Sequence, residues 1–165
     1  QIHCIPLTVC FGDQEYQENV NLSKEEFYHL LKTSGENPKT AQASPQAMAD
    51  AFQSAGEDGA VYITLASVLS GTYQTACLVA SQMGPGAYVV DSRNATGGQR
   101  ILVEHAVSLR DAGKSAAEIA RSVELLRERV VLYACIDTLE YLYRGGRISH
   151  TVYKLGTMAL SLIHI

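Results

Sequence analysis

The chain has 165 residues, of which 47% are hydrophobic and 18% charged, and its formal net charge is −4. This composition is typical of a folded globular domain and excludes a largely disordered one. A net negative charge without a basic stripe argues against a nucleic-acid-binding protein, because nothing in the sequence would neutralise phosphates.

The first part of the chain predicts one strand and two helices. Residues 2–11 alternate between apolar and polar side chains and predict a strand that ends at the turn Gly12-Asp13. Ser23 with Glu26 forms the pattern of a capping box and predicts the start of a helix. Ser44-Pro45 predicts a second helix, because serine is favoured at the N-cap and proline at the first helical position.

The next strand and helix meet at the segment that carries the most chemistry. Residues 59–66 are apolar and β-branched, as in a strand covered on both faces, and the helical pattern behind them ends at Gly84-Pro85-Gly86. Ser70 is predicted as the N-cap, which places its hydroxyl and the first helical N–H groups at the carboxyl end of the strand. Open parallel sheets bind ligands there, so Ser70, Gly71 and Thr72 form a candidate anion site. A purely structural cap and turn would give the same local pattern.

Further strands and helices continue the alternation. Residues 87–90 predict a buried strand that ends at Asp91-Ser92, and Ser115 with Glu118 predicts another capped helix. Residues 130–136 predict a third buried strand. The repeated βα order predicts an α/β fold with a mostly parallel sheet and helices on both faces.

Several polar and sulfur-containing residues are predicted to be structural. The cysteines lie in separate apolar segments without metal-ligand spacing to a histidine, so we expect buried free thiols and no metal. The arginines near the chain's third quarter alternate with glutamates, which is typical of a solvated helix face. The cysteines are Cys4, Cys10, Cys77 and Cys135, and the arginines are Arg121, Arg127 and Arg129.

No apolar run approaches the length of about 20 residues that spans a bilayer, and no leader pattern occurs, so we expect a cytoplasmic protein.

Four motifs occur in a fixed order: TAQASP at residues 40–45, LSGTYQ at 69–74, VDS at 90–92, and LEYL with GGRIS within 139–149. Together they resemble the DegV family, the bacterial fatty-acid-binding proteins that serve fatty acid kinase. The resemblance implies the Rossmann-like N-terminal lobe of that family, without its first strand and without the second lobe. We therefore expect a fragment, in which residues 1–159 form the lobe and residues 160–165 are a truncated or non-native tail.

The resemblance implies a lipid-binding carrier rather than an enzyme. Such a protein buries a long-chain fatty acid and presents its carboxylate to the catalytic subunit of a fatty acid kinase, and the resulting acyl phosphate passes to an acyltransferase. It implies no cofactor besides the bound fatty acid and no nucleic-acid partner, and it allows transient membrane contact. The roles that it implies are carboxylate binding by Thr40 and Ser70, loop and pocket support by Gly71, Thr72 and Ser92, and kinase or phosphate contact by Arg147. For Ser92, a simple turn is an equally good interpretation.

Two other functions stay open on the residues alone. Ser70 at a strand-to-helix turn could be the nucleophile of a hydrolase, although the G-x-S-x-G motif and an assignable histidine base are missing. A nucleotide-binding module is the weaker alternative, since the sequence has no glycine-rich phosphate motif.

Overall fold

The computed structural model describes residues 2–162. They divide into two units, with the division between Leu132 and Tyr133. The elements of the first unit are, in chain order, β1 (Thr8–Phe11), β2 (Gln14–Gln17), α1 (Lys24–Thr33), β3 (Lys39–Ala41), α2 (Pro45–Ser54), a 3₁₀ turn (Gly56–Asp58), β4 (Ala60–Thr64), α3 (Thr72–Met83), β5 (Ala87–Asp91), α4 (Thr96–Asp111) and α5 (Ala116–Arg127). The second unit contains α6 (Glu140–Arg144) and α7 (His150–Leu162).

Strands β4 and β5 pair in parallel, in a register that runs from Ala60 opposite Ala87 to Thr64 opposite Asp91. Their side chains alternate between two cores, as the period of a strand requires. One face packs against α2 and α3, through residues that include Met48, Phe52, Ala76 and Val79. The other face packs against α4 and α5, through residues that include Leu102, Ile119 and Val123. The predicted α/β architecture, with a parallel sheet covered by helices on both faces, is confirmed.

A second sheet, not predicted from the sequence, is antiparallel and has the strand order β2-β1-β3. Its first strand is shorter than expected, since β1 begins at Thr8. The chain turns back at Gly12, and β2 follows at once. Val9 and Phe11 point into a small core with Leu22, which also contacts α1. Thr40 lies on β3, opposite Val9.

The predicted helix starts agree with the structure in three places. Ser44 is the N-cap of α2 and Pro45 its first residue. The Ser23 hydroxyl accepts a hydrogen bond from the Glu26 N–H at the start of α1. Ser115 and Glu118 form a complete capping box at α5. Hydrogen bonds from the backbone and hydroxyl of Ser115, with help from Lys114, lower the pKa of Glu118 to about 2.

Two expectations about apolar segments are wrong. Residues 130–136 form no strand, and within this segment Val131 is 70% and Tyr133 92% exposed. None of the strands described in residues 2–162 pairs with this segment, so its β-branched pattern is not sufficient for strand formation. The expected burial of the cysteines fails for Cys4 and Cys135, which are exposed.

The second unit is a helical hairpin closed by a glycine turn. Gly146 has a φ of 74°, and the backbone N–H of Arg147 donates to the Leu142 carbonyl. Tyr143 stacks on Tyr153 with ring centroids 4.6 Å apart. Of the predicted tail, residues 160–162 continue α7, whereas residues 163–165 lie outside the described part. No helix within residues 2–162 has the length and apolar character needed to cross a bilayer.

Glycine substitutions can measure how closely the backbone is packed at the start of β4. Gly59 and Gly84 both occupy a backbone region that essentially only glycine adopts, with φ and ψ of 74° and 171° and of 82° and −165°. A Cβ on Gly59 would lie 2.7 Å from the Gly86 carbonyl oxygen, whereas a Cβ on Gly84 would meet nothing within 4 Å. Gly84→Ala should lower the free energy of unfolding by about 1–3 kcal/mol through backbone strain. Gly59→Ala should lower it by about 1–3 kcal/mol more because of the clash.

Urea denaturation of the two variants and the wild type measures these differences. Equal losses of stability in Gly59→Ala and Gly84→Ala would contradict the close approach of Gly59 to Gly86.

Candidate functional site

The loop after β4 presents a serine hydroxyl at the start of α3. The N-cap of this helix is Gly71 rather than the predicted Ser70, which lies one residue earlier. The Oγ atom of Ser70 nevertheless accepts a hydrogen bond from the Thr72 N–H over 3.2 Å. It also lies 2.9 Å from Oγ1 of Thr72, whose side chain is buried. Ser70 and Thr72 are therefore brought together, and Ser70 is the more exposed of the two.

The loop after β5 is joined to the loop after β4 by the carboxylate of Asp91. Its Oδ1 atom accepts hydrogen bonds from the N–H groups of Ser67, over 3.1 Å, and Arg93, over 2.9 Å. Burial by itself would raise the pKa of Asp91, but these bonds, the Ser67 hydroxyl and the positive charge of Arg127 together lower it. Asp91 is thus an ionised tie between the two loops, which sequence reasoning did not identify.

Ser92 lies in a tight buried turn next to this tie. Its Oγ atom donates to the Asn94 carbonyl over 2.9 Å and accepts from the Asn94 N–H over 3.1 Å. The Asn94 side chain donates to the carbonyls of Ser92 and Val130. The Ser92 side chain is fully buried, so these contacts favour the turn interpretation over a pocket-lining hydroxyl. The pocket role of Ser92 stays a prediction.

Strand β3 approaches the Ser70 loop from another sheet. The exposed Gln42, directly after β3, has its Oε1 atom 2.8 Å from the position that a Cβ on Gly71 would occupy. Thr40 is two residues before Gln42 on the same extended segment, and such residues face the same side. Thr40 is exposed as well. The approach to the Ser70 loop is made by Gln42, and strand periodicity places Thr40 on the same side of the segment.

An open groove of about 370 Å³ begins at the Ser70 loop. Its lining is predominantly apolar and comes from three segments, 66–69, 93–95 and 130–132. The Ser70 N–H donates to the carbonyl of Ala66, which is one of the lining residues. A larger cleft of about 520 Å³ lies around residues 19–26 and contains none of the predicted site residues.

Arg127 departs from the prediction that it lies on a solvated helix face. Its side chain is only 16% exposed. The guanidinium donates to the backbone carbonyl of Asp91 over 2.8 Å and also pairs with Glu128. The spacing of charged residues along α5 predicts a solvated Arg127, because spacing does not reveal the contact of its side chain with the end of β5.

Arg147, the remaining predicted residue, belongs to the second unit. It is exposed in the turn between α6 and α7, and its guanidinium donates to the Gly145 carbonyl of the same turn. The neighbouring Arg144 pairs instead with Glu140.

The surroundings of Ser70 do not favour the alternative function, in which Ser70 is the nucleophile of a hydrolase. No histidine in the described range 2–162 is hydrogen-bonded to Ser70, and the His105 ring lies 2.8 Å from the Ser122 hydroxyl, between α4 and α5. In the same range, no group of three His, Cys, Asp or Glu side chains is placed to hold a metal ion.

Comparisons with known proteins agree on one family. The family model described as "Uncharacterised protein, DegV family" matches residues 1–160. A DegV domain-containing protein of Caldanaerobacter subterraneus is 37% identical over 158 residues, which cover 94% of this chain and 56% of the relative. The chain spans about half the length of the curated relatives it matches.

Solved structures show the same fold. A DegV family protein from Thermus thermophilus, described for its fatty acid binding, is 30% identical and superposes with a TM-score of 0.78. The alignment covers 93% of this chain and 55% of that one. The Streptococcus pneumoniae fatty acid kinase (Fak) B3 protein loaded with linoleic acid superposes with a TM-score of 0.77, at 24% identity. That alignment covers 90% of this chain and 54% of the Fak B3 chain, and at this identity it shows the fold alone.

Asp91→Asn tests the tie between the two loops. A carboxylate with a lowered pKa stabilises the fold above the unfolded pKa of about 3.9, and this stabilisation is lost as the pH falls through the lower folded value. We expect the variant to be less stable than the wild type by about 1–3 kcal/mol at pH 7, with the difference shrinking below about pH 4.

Thermal or urea unfolding between pH 7 and pH 2.5 measures this difference. Asp111→Asn is the matched control, because Asp111 is exposed and pairs with its neighbour Arg110. A difference for Asp91→Asn that does not change with pH would contradict the role of its charge.

Proposed function

Because the chain belongs to the DegV family, we propose that it forms the head-group part of a long-chain fatty-acid-binding site. The hydroxyls of Thr40 and Ser70 bind the carboxylate, and the N-terminus of α3 adds the favourable end of its dipole. The observation that carries the proposal is the approach of the β3 segment to the Ser70 loop, through Gln42 and Gly71. This approach brings two of the family motifs to one place.

The hydrogen bonds of Ser70 support its role as a donor to an anion. A hydroxyl oxygen has two acceptor lone pairs and one hydrogen. The Thr72 N–H occupies one lone pair, and the Thr72 hydroxyl occupies the other when it donates to Ser70. The Ser70 hydrogen is then left to donate to a carboxylate. The same arrangement makes Ser70 a poor nucleophile, since neither lone pair is left for attack.

The acyl chain follows the apolar groove that starts at residues 66–69. Burial of a methylene group contributes about 0.8 kcal/mol, so a sixteen-carbon chain gains on the order of 10 kcal/mol before the cost of ordering is subtracted. Charge-assisted hydrogen bonds add about 1.5–3 kcal/mol each. The tail therefore supplies most of the affinity, and the hydroxyls orient the head group.

The bound acid is the substrate of a separate fatty acid kinase, in the manner of the family that the motifs indicate. Neutral hydroxyl donors hold a carboxylate without the permanent ion pair that a buried lysine would form, so the carboxylate oxygen keeps its nucleophilicity toward a phosphoryl donor. Arg147 contributes to kinase or phosphate recognition, because a planar guanidinium matches phosphate oxygens. An acyltransferase then takes the acyl phosphate.

Ser70→Ala should weaken palmitate binding by about 1–3 kcal/mol, or roughly 5- to 150-fold, because one donor to the carboxylate is lost. Isothermal titration calorimetry on the delipidated protein at its natural length measures the affinity. Ser81→Ala is the matched control on the same helix, since its hydroxyl is exposed and donates to the Leu78 carbonyl. Unchanged palmitate affinity in Ser70→Ala would contradict the head-group role, and no palmitate binding by the wild type would overturn the proposed function.

Arg147→Ala should leave palmitate affinity within about twofold of the wild type and reduce acyl phosphate formation by the partner kinase about tenfold or more. Arg144→Ala is the control, because Arg144 is in the same helical hairpin and pairs with Glu140. Formation of the nucleoside diphosphate, which accompanies each phosphoryl transfer to the acid, and palmitate titration are measured in parallel. An equal loss of binding and turnover in Arg147→Ala would show that the two roles are not separate.

A further inference from the structure

We propose that the side-chain amide of Gln42 is a third donor to the ligand carboxylate and sets the preference for an acid over a neutral head group. This inference rests on the proposed function of the same site. Gln42 is the third residue of the TAQASP motif, and the sequence alone indicates no role for it. Its candidacy comes from its position against Gly71, which the structure alone reveals.

Gly71 leaves room for the Gln42 side chain. Its φ of −68° and ψ of 0° are accessible to any L-residue, so the backbone does not require glycine at this position. A Cβ on Gly71 would lie 2.8 Å from Oε1 and 3.9 Å from Cδ of Gln42, so Gln42 would have to shift to accommodate it. The absence of a side chain at Gly71 therefore admits the Gln42 amide next to Ser70.

The Gln42 amide directs its oxygen toward Gly71. The Nε2 atom, at the other end of the planar amide, then offers two N–H donors away from Gly71. Gln42 is exposed, and its side chain has no hydrogen-bond partner within the described residues 2–162. Its donors therefore need no internal bond to be broken before they bind a ligand.

Thr40 lies on β3, one residue before Ala41, and Gln42 follows directly after the strand. The two-residue period of a strand then places the Thr40 hydroxyl and the Gln42 amide on the same side. With the Ser70 hydroxyl from the other segment, three neutral donors converge on one head group. A carboxylate can accept from all three, because its two oxygens offer about four lone-pair positions. An alcohol has a single, uncharged oxygen and gains less from the same donors.

The test compares palmitate with hexadecanol, which has the same tail and a neutral head, on the delipidated protein at its natural length. Gln42→Met keeps the length of the side chain and removes its donors. We expect palmitate affinity to fall about tenfold, while hexadecanol affinity changes by less than about threefold. Gln46→Met is the matched control, because Gln46 is exposed on α2 and bonds Asp50. Gln42→Glu should lower palmitate affinity further at pH 8, since it places a negative charge beside the carboxylate.

A double-mutant cycle with Gly71→Ala separates the amide from simple blockage of the site. If the added Cβ acts by displacing Gln42, Gly71→Ala weakens palmitate binding in the wild type and has little further effect in the Gln42→Met background. A loss that persists in the Gln42→Met background would overturn the inference, because the Cβ would then obstruct the ligand itself. Unchanged palmitate affinity in Gln42→Met, with a loss in Ser70→Ala, would overturn the inference and leave the proposed function intact. A wild type that binds no palmitate would overturn both.

Discussion

The parallel pairing of β4 with β5 is the constraint on which the candidate site depends. Because parallel strands end at the same edge of a sheet, the register that sets Thr64 opposite Asp91 also brings the two following loops together. The Asp91 carboxylate then accepts hydrogen bonds from both loops. The helices on the two faces bury the strands, so that the edge with the loops is held by two cores rather than by local turns.

The candidate site is assembled from neutral donors on segments that are far apart in the sequence. Ser70 comes from the loop before α3, and Thr40 and Gln42 come from β3 and the residue beyond it. A glycine at position 71 permits the two segments to meet. Under the proposed function, such a site binds an anion firmly enough to orient it and leaves it chemically reactive. The long apolar tail supplies the affinity that the neutral head-group contacts lack.

The expectations that failed were those that depended on a neighbour. Residues 130–136 have the composition of a buried strand, yet a strand forms only where another strand accepts its hydrogen bonds. Arg127 has the spacing of a solvated residue, yet its guanidinium reaches the Asp91 carbonyl. The antiparallel sheet of β1, β2 and β3 was missed because its second and third strands are short and polar, so they lack the apolar alternation that indicates a strand.

What the sequence by itself determined was the capping box at Ser115, proline at the start of α2, the apolar run of β4, and the order of motifs that indicated the family. The first three depend on residues within a few positions of one another. Only the tertiary structure decided which polar groups are available. The Ser92 hydroxyl is buried and bonded within its own turn, the Ser70 hydroxyl accepts from the Thr72 N–H and stays partly exposed, and Gln42 lies against Gly71. The physical reason is that burial, and the meeting of segments such as those of Gln42 and Gly71, are set by atoms that the chain brings together from distant positions, and residue spacing does not encode those contacts.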